Sequence, residues 1–213
     1  MQLDMRALPV SRRYKVMTSA VTPRPIAWVT TRSAEGGVNA APFSFFNTMG
    51  ADPPTVVLGL MRRADAGPKD TAANILATRE FVVNLVSEED AGAMNITCID
   101  APPGVDETAL AKLELLPSAQ VAPPRIATAP VSFECRLLQT VSPRGDADGE
   151  IIVVGEVVVA HIADRFVLDR ERLHLDTPAM RLIARMHGAG WYARGTDLFE
   201  LTRPSWAEWP GAR

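Results

Sequence analysis

The sequence predicts a mainly β protein built as a single domain, and three observations carry that reading. Several runs are apolar and β-branched on nearly every residue, helical periodicity is scarce, and a length of 213 residues fits one compact domain with a substantial core. Strands that are apolar at both alternating positions need cover on both faces. A closed barrel whose outside is buried against a second subunit would provide it. The expected assembly is therefore a homodimer.

The elements follow in chain order. "PIAWVTT" (Pro25–Thr31) reads as a strand, "SAEGGV" supplies a Gly-Gly turn signal, and "NAAPFSFF" returns as the second arm of a hairpin. "TVVLGL" (Thr55–Leu60), "EFVVNLV" (Glu80–Val86), "VSFECRLLQTV" (Val131–Val141) and "EIIVVGEVVVAHI" (Glu150–Ile162) are further strands. "DLFELTRP" is expected to be the last. One helix is expected over Thr71–Thr78. A clearer one is expected in "TPAMRLIARMHGAG", with Thr177 as N-cap, Pro178 at the first position, Met180, Ile183 and Met186 on one face and Gly188 as the stop. The stretch from Ala101 to Pro130 holds six of the 17 prolines and reads as a long surface excursion with one short helix.

Composition excludes several function classes. Hydrophobic residues are 47% and charged residues 22%, with a net charge of −3 and no long Lys/Arg run. That argues against a nucleic-acid groove or an anionic membrane surface. No apolar run reaches transmembrane length, and the first residues lack the apolar run of a signal peptide, so a cytoplasmic location is expected. Two cysteines, Cys98 and Cys135, and three scattered histidines, His161, His174 and His187, form no metal-binding spacing. No GxGxxG follows a strand, so no Rossmann unit is expected.

The stretch "GPKDTAANIL" poses a sharper question. A helix start exposes unpaired N–H groups and partial positive charge, which usually draws acidic residues into the first turn. Here Ala72, Ala73 and Asn74 follow Asp70 and Thr71, and no capping-box glutamate is present. Two readings fit: amides left open for an outside anion, helped by Lys69 and the Thr71 hydroxyl, or a capped surface helix with a solvated lysine. The Asp70 carboxylate would oppose an anion unless it turns aside to cap the helix. Arg62 and Arg63, just after a strand, either face the same socket or lie on an exposed turn.

"PRPIAWVTT", "VNAAPFSFFNTMGADPPTVVLGL" and "KDTAANILATREFVVNLVS" together resemble the flavin reductase-like proteins, FMN-binding split β-barrels. The resemblance continues through "FECRLLQTV", "IIVVGEVVVAHI" and "RMHGAGWYA…LFELTRP", so it spans roughly residues 20–204 of one domain covering 1–213. It implies a Greek-key barrel with a few short helices and FMN as cofactor. It also implies site residues. Arg24 would lie near the flavin. Ser44, Phe45, Phe46, Asn47 and Thr48 would run along the ring edge, with Phe43, Phe45 and Phe46 equally readable as core. Lys69 and Thr71, with Arg62 nearby, would hold the phosphate, while Asp70 caps the helix and Asn74 braces the turn. His161 would orient a hydride donor or serve as a satisfied structural histidine. Where the family often has a Gly-Gly pair before the tyrosine, this chain has His187 to Tyr192, and the bulk of His187 and Trp191 would cover the flavin from the partner subunit or simply end a helix. No catalytic acid or base stands out. The implied activity is an NAD(P)H-dependent flavin or small-acceptor oxidoreductase. The alternatives are a tight flavin-binding electron carrier or the reductase component of a two-component monooxygenase.

Overall fold

The computed structural model describes residues 1–61, 69–102, 104–145 and 150–209. Helix α1 (Val10–Ala20) precedes strands β1 (Arg24–Pro25), β2 (Ala27–Arg32), β3 (Val38–Phe43), β4 (Phe46–Ala51) and β5 (Pro54–Leu60). Helix α2 (Asp70–Thr78) leads into β6 (Glu80–Leu85). The excursion then carries α3 (Ala91–Ile96), α4 (Glu107–Leu110), β7 (Leu115–Leu116) and β8 (Arg125–Ile126). Long strands β9 (Val131–Val141) and β10 (Ile151–Ile162) follow, and β11 (Val167–Asp169), β12 (His174–Leu175), β13 (Ile183–Arg185) and β14 (Tyr192–Arg194) complete the set.

Seven strands form one antiparallel sheet in the order β3-β2-β6-β9-β10-β5-β4. Its two edge strands, β3 and β4, are consecutive in the chain and separated only by Ser44 and Phe45. Two extended residues span only about 7 Å, so the edges must meet and the sheet curls into a barrel. The Gly59 N–H donates to the Phe45 carbonyl at 2.7 Å, pinning that crossing to β5. A Cβ on Gly59 would sit 3.0 Å from the Phe45 Cβ, so any larger residue would press Phe45 outward.

Period-two patterning sorts the side chains. Ala27, Val29, Val56, Leu58, Phe81, Val83 and Val153 point into the barrel, which Ala72 and Ile75 of α2 plug. Outside, Trp28 gathers Ile26, Val86, Met94, Ile126 and Ile183 into a second cluster. Most expected barrel strands fall within a residue or two of the observed ones and α2 begins at Asp70, but the arm expected through Phe46 ends at Phe43, and β4 was not expected.

Two expectations fail. The stretch from Thr177 to Gly188 is not a helix. The Asp176 carboxylate accepts the Ala179 N–H at 3.1 Å, one turn forms, and Arg181 ends it at φ 49°. The chain then extends as β13, with the Ile183 N–H donating to the Val86 carbonyl at 3.1 Å. Met180 and Ile183 bury in two different clusters, which one helical face could not reach. Helical spacing loses to tertiary pairing. "DLFELTRP" forms no strand either, since it finds no sheet edge to join. Leu198, Phe199 and Leu201 stay 71%, 84% and 80% exposed. A third element, α1, falls where no helix was expected.

Candidate active site

Between α1 and the β3–β4 crossing lies a cavity of about 930 Å³. Val10, Tyr14, Met17 and Val21 line one wall; Phe45, Asn47 and Met61 line the other. Tyr14, Ser44, Phe45 and Met61 also border a narrower space of about 170 Å³ that reaches Lys69. Pro42, Phe43 and Lys69 in turn border a third, of about 140 Å³, at the start of α2. The three share walls in sequence. They make one elongated run that is wide and apolar at one end and narrow and polar at the other.

Arg24 sits at the wide end and is nearly buried. Its Nη1 donates to the carbonyls of Thr18 and Val21 at 2.7 and 2.6 Å, its Nη2 to Met186 at 3.2 Å, and its Nε to the Ser44 Oγ at 3.4 Å. Four of five N–H donors are thus committed. Arg24 caps the carbonyl end of α1 and ties it to β13 and the crossing, so its part is positioning rather than direct contact. Burial pulls its guanidinium below the ordinary value.

The phenylalanines divide. Phe43 and Phe46 pack against the barrel core, while Phe45 borders the wide cavity, the narrow space beside it and a separate depression of about 380 Å³. The Asn47 side chain lines the wide cavity, and its Oδ1 accepts the N–H of Thr48 at 2.8 Å. The Thr48 side chain borders none of these spaces.

At the narrow end no side chain caps α2. Asp70 is not the cap: it occupies the first turn, and its Oδ2 accepts the Gly104 N–H at 2.9 Å. The Thr71 hydroxyl is buried and donates to Asn39 Oδ1 at 2.7 Å, so Thr71 offers a ligand its amide, not its hydroxyl donor. Asn74 does brace the turn, donating to Thr31 Oγ1 at 3.0 Å. Asn39 also donates to the buried Glu107 carboxylate at 2.9 Å. Burial pushes that carboxyl up, against its own amide, Asn39 and the Ala40 amide, and Asp70 adds to the rise. Lys69 lies 3.9 Å from Asp100. Arg62 falls outside the described residues.

Within one chain His161, His187 and Trp191 line none of this run, the expected cover by His187 and Trp191 being one that a partner subunit would supply. His161 bonds Glu134 at 2.5 Å on the barrel wall, which is the structural reading of that histidine. His187 and Trp191 stack at 6.4 Å on the exposed tip between β13 and β14. Asn39, Glu107 and the α1 face were missed. The spacing Val10, Tyr14, Met17, Val21 after Pro9 was the available signal for the last.

A family model described as flavin reductase like domain matches residues 17–175. The chain belongs to the flavin reductase-like family. Nitrilotriacetate monooxygenase component B from Bacillus cereus superposes with a TM-score of 0.87 at 30% identity, covering 94% of this chain and 98% of that one. A 2-nitrobenzoate 2-nitroreductase from Pseudomonas fluorescens gives 0.85 at 34% identity, over 96% and 97%. A protein with a split barrel domain from Shewanella frigidimarina gives 0.78 at 20% identity, over 94% and 96%, and shares the fold. The flavin reductase-like chain is thus a split barrel of a flavin-linked oxidoreductase family. Among the described residues no cluster could hold a metal ion, and no helix is long and apolar enough to cross a membrane.

Proposed function

We propose that this chain is an FMN-dependent oxidoreductase, working as a homodimer in the cytoplasm, with a reduced nicotinamide cofactor as donor and flavin or a small molecule as acceptor. The single observation that carries this reading is the elongated run itself. An apolar chamber fits a flat ring, and a narrow passage leads to an uncapped helix start with a lysine beside it, which fits a phosphate. A bound flavin would supply the redox chemistry.

The chain's own residues do the placing. The first-turn amides of α2 and Lys69 would meet the phosphate, with the Asp70 carboxylate drawn aside by Gly104. Backbone groups of the Ser44–Asn47 segment would meet the polar ring edge, held there by the Arg24 clamp and the bond from Gly59. With no Rossmann motif, the nicotinamide must enter the same chamber and leave before a second substrate arrives. Ping-pong kinetics are the expected result.

The test is a titration of the purified chain with FMN, followed by anaerobic absorption spectra before and after NADH or NADPH. Saturable FMN binding and bleaching of the flavin band support the proposal; a chain that refuses FMN ends it. Lys69→Ala should weaken FMN on the order of 10- to 100-fold, the range for one hydrogen bond to a charged group. A second reading, a reductase component that releases reduced flavin to a partner oxygenase, draws support from the likeness to the Bacillus cereus component B. Weak FMN retention on gel filtration, with fast NAD(P)H turnover in excess FMN, would favour it.

A further inference from the structure

Helix α1 presents an apolar face that the fold itself does not use. Val10, Tyr14, Met17 and Val21 recur at helical spacing, yet they remain 59%, 47%, 53% and 55% exposed. Thr18 is the only buried residue of the helix. All four instead line the 930 Å³ chamber. The helix is held over that chamber by polar anchors rather than by packing. Arg24 grips its carbonyl end at Thr18 and Val21, and Arg13 reaches back to the carbonyls of Leu8 and Arg6 at 2.7 and 3.1 Å. Opposite stands Phe45, whose ring centroid lies 6.1 Å from that of Tyr14 at a tilt of 46°.

We propose that this face of α1 selects the small substrate admitted to the chamber, and that the substrate is a flat, largely apolar ring compound. The inference rests on the flavin reading for what shares the chamber. A volume of 930 Å³ lies near the top of the range of about 300–1,000 Å³ for small-molecule sites, which leaves room for a second planar molecule beside a flavin ring. The free walls offer a phenol ring, a thioether and two valines, which reward apolar area and stack on a ring. Arg13, Arg144 and Glu150 also line the chamber, so a carboxylate can pair there, but an aliphatic one cannot stack on the rings, and stacking is what separates the two classes. Tyr14 lies where the chamber narrows, so it is the residue placed to judge a ring between itself and Phe45.

The test uses the full chain, with and without FMN, titrated calorimetrically with benzoate as the flat probe and succinate as the aliphatic control. Benzoate should bind about tenfold or more tighter than succinate. The double variant Tyr14→Ala, Met17→Ala should weaken benzoate by about tenfold, whereas Tyr14→Phe should keep it. Both truncated side chains are half exposed, so the fold, read by circular dichroism and melting temperature, should hold. Benzoate binding that the double variant leaves unchanged, or benzoate and succinate binding alike, overturns the assignment. A chain that takes FMN but not benzoate sinks this inference alone. One that takes benzoate but not FMN sinks the flavin reading instead.

Discussion

On the β2–β6 side of the barrel the outward residues are buried by the chain itself, whereas on the β4–β5–β10 side they are left open. Trp28, Thr30, Val82 and Asn84 have no exposed surface. The covering segment is fastened to them by hydrogen bonds: Trp28 Nε1 donates to Thr97 Oγ1 at 2.9 Å, Thr30 Oγ1 to the Pro124 carbonyl at 2.5 Å, and the Ile126 N–H to Asn84 Oδ1 at 3.0 Å. On the other side Met49 is 64% exposed, Val57, Ile152 and Val154 are half-buried, and Met49, Val57 and Ile152 line a shallow depression of about 380 Å³. Both sides carry the same apolar strand signature. What separates them is where the polar groups bond: on the covered side Thr30 and Asn84 catch backbone groups of the covering segment, whereas on the open side Asn47 and Thr55 bond only their own neighbours, the Thr48 N–H and the Pro53 carbonyl. A face covered by its own chain needs fixed partners for that chain's amides; the open face would need only apolar area to serve the homodimer proposed above.

Truncation on the covered side should cost most. Trp28→Ala removes the centre of the outer cluster and should destabilise the fold by about 3–5 kcal/mol. Asn84→Ala follows at roughly 2–3 kcal/mol, because it strands the Ile126 N–H and the Ser132 hydroxyl, which donates to Asn84 at 2.8 Å. Urea unfolding curves measure both. If Asn84→Ala were as mild as a surface change, the fastening role of the polar set would be wrong.

The open side predicts a different signature. Met49→Glu should leave the unfolding free energy of a single copy within about 0.5 kcal/mol, the range for surface changes. It should also convert a dimer to a monomer on sizing by light scattering. Glu placed at a buried, fully used position could not do the first, and an interface elsewhere would not do the second. A dimer that survives Met49→Glu moves the interface off this face.

Much of this contrast was legible in the sequence, but not which way each face would be resolved. Nearly continuous apolar, β-branched runs over Pro25–Thr31 and Glu80–Val86 located the strands, and the helix expected from Thr71 begins one residue earlier, at Asp70. The run of apolar residues on both faces signalled double cover without saying whether the cover was intramolecular. Asn84 was the residue that could have told, since a buried Asn in an apolar strand demands partners. At the site, Phe45 could not be separated from Phe43 and Phe46 by spacing, because the two-residue crossing breaks the alternation there. Thr71 was misread for the same kind of reason. Its position beside an uncapped helix start was visible, but Asn39, 32 residues earlier, which takes its hydroxyl, was not. The helix expected over Thr177–Gly188 failed because two distant clusters competed for its apolar residues.

The smallest expected effect sharpens the comparison through pH. Glu134, fully buried on β9, fastens the excursion by accepting the N–H groups of Ala119 and Gln120 at 2.6 and 2.7 Å, with His161 on the same carboxylate. Burial alone would push this carboxyl up, but the Ala119 amide, the His161 ring and the Gln120 amide outweigh it, so it is held below the ordinary carboxylate value. A folded-state pKa below the unfolded one means the stabilisation is present above the usual carboxylate range, near 4.3, and is lost as pH falls through it. Half-buried Glu88, brought down to about 2 by Arg194 and Arg181, has the same sign, while Glu107, pushed up by burial, has the opposite one. Glu134→Gln should therefore flatten the acid limb of melting temperature against pH relative to wild type, while Glu88→Gln removes only the surface share. The covering segment should loosen first on acidification, seen as faster amide exchange at Ala119 and Gln120 than in β5 or β10. Equal acid limbs in wild type and Glu134→Gln, with those two amides protected to the end, would mean that apolar contact alone holds the cover on.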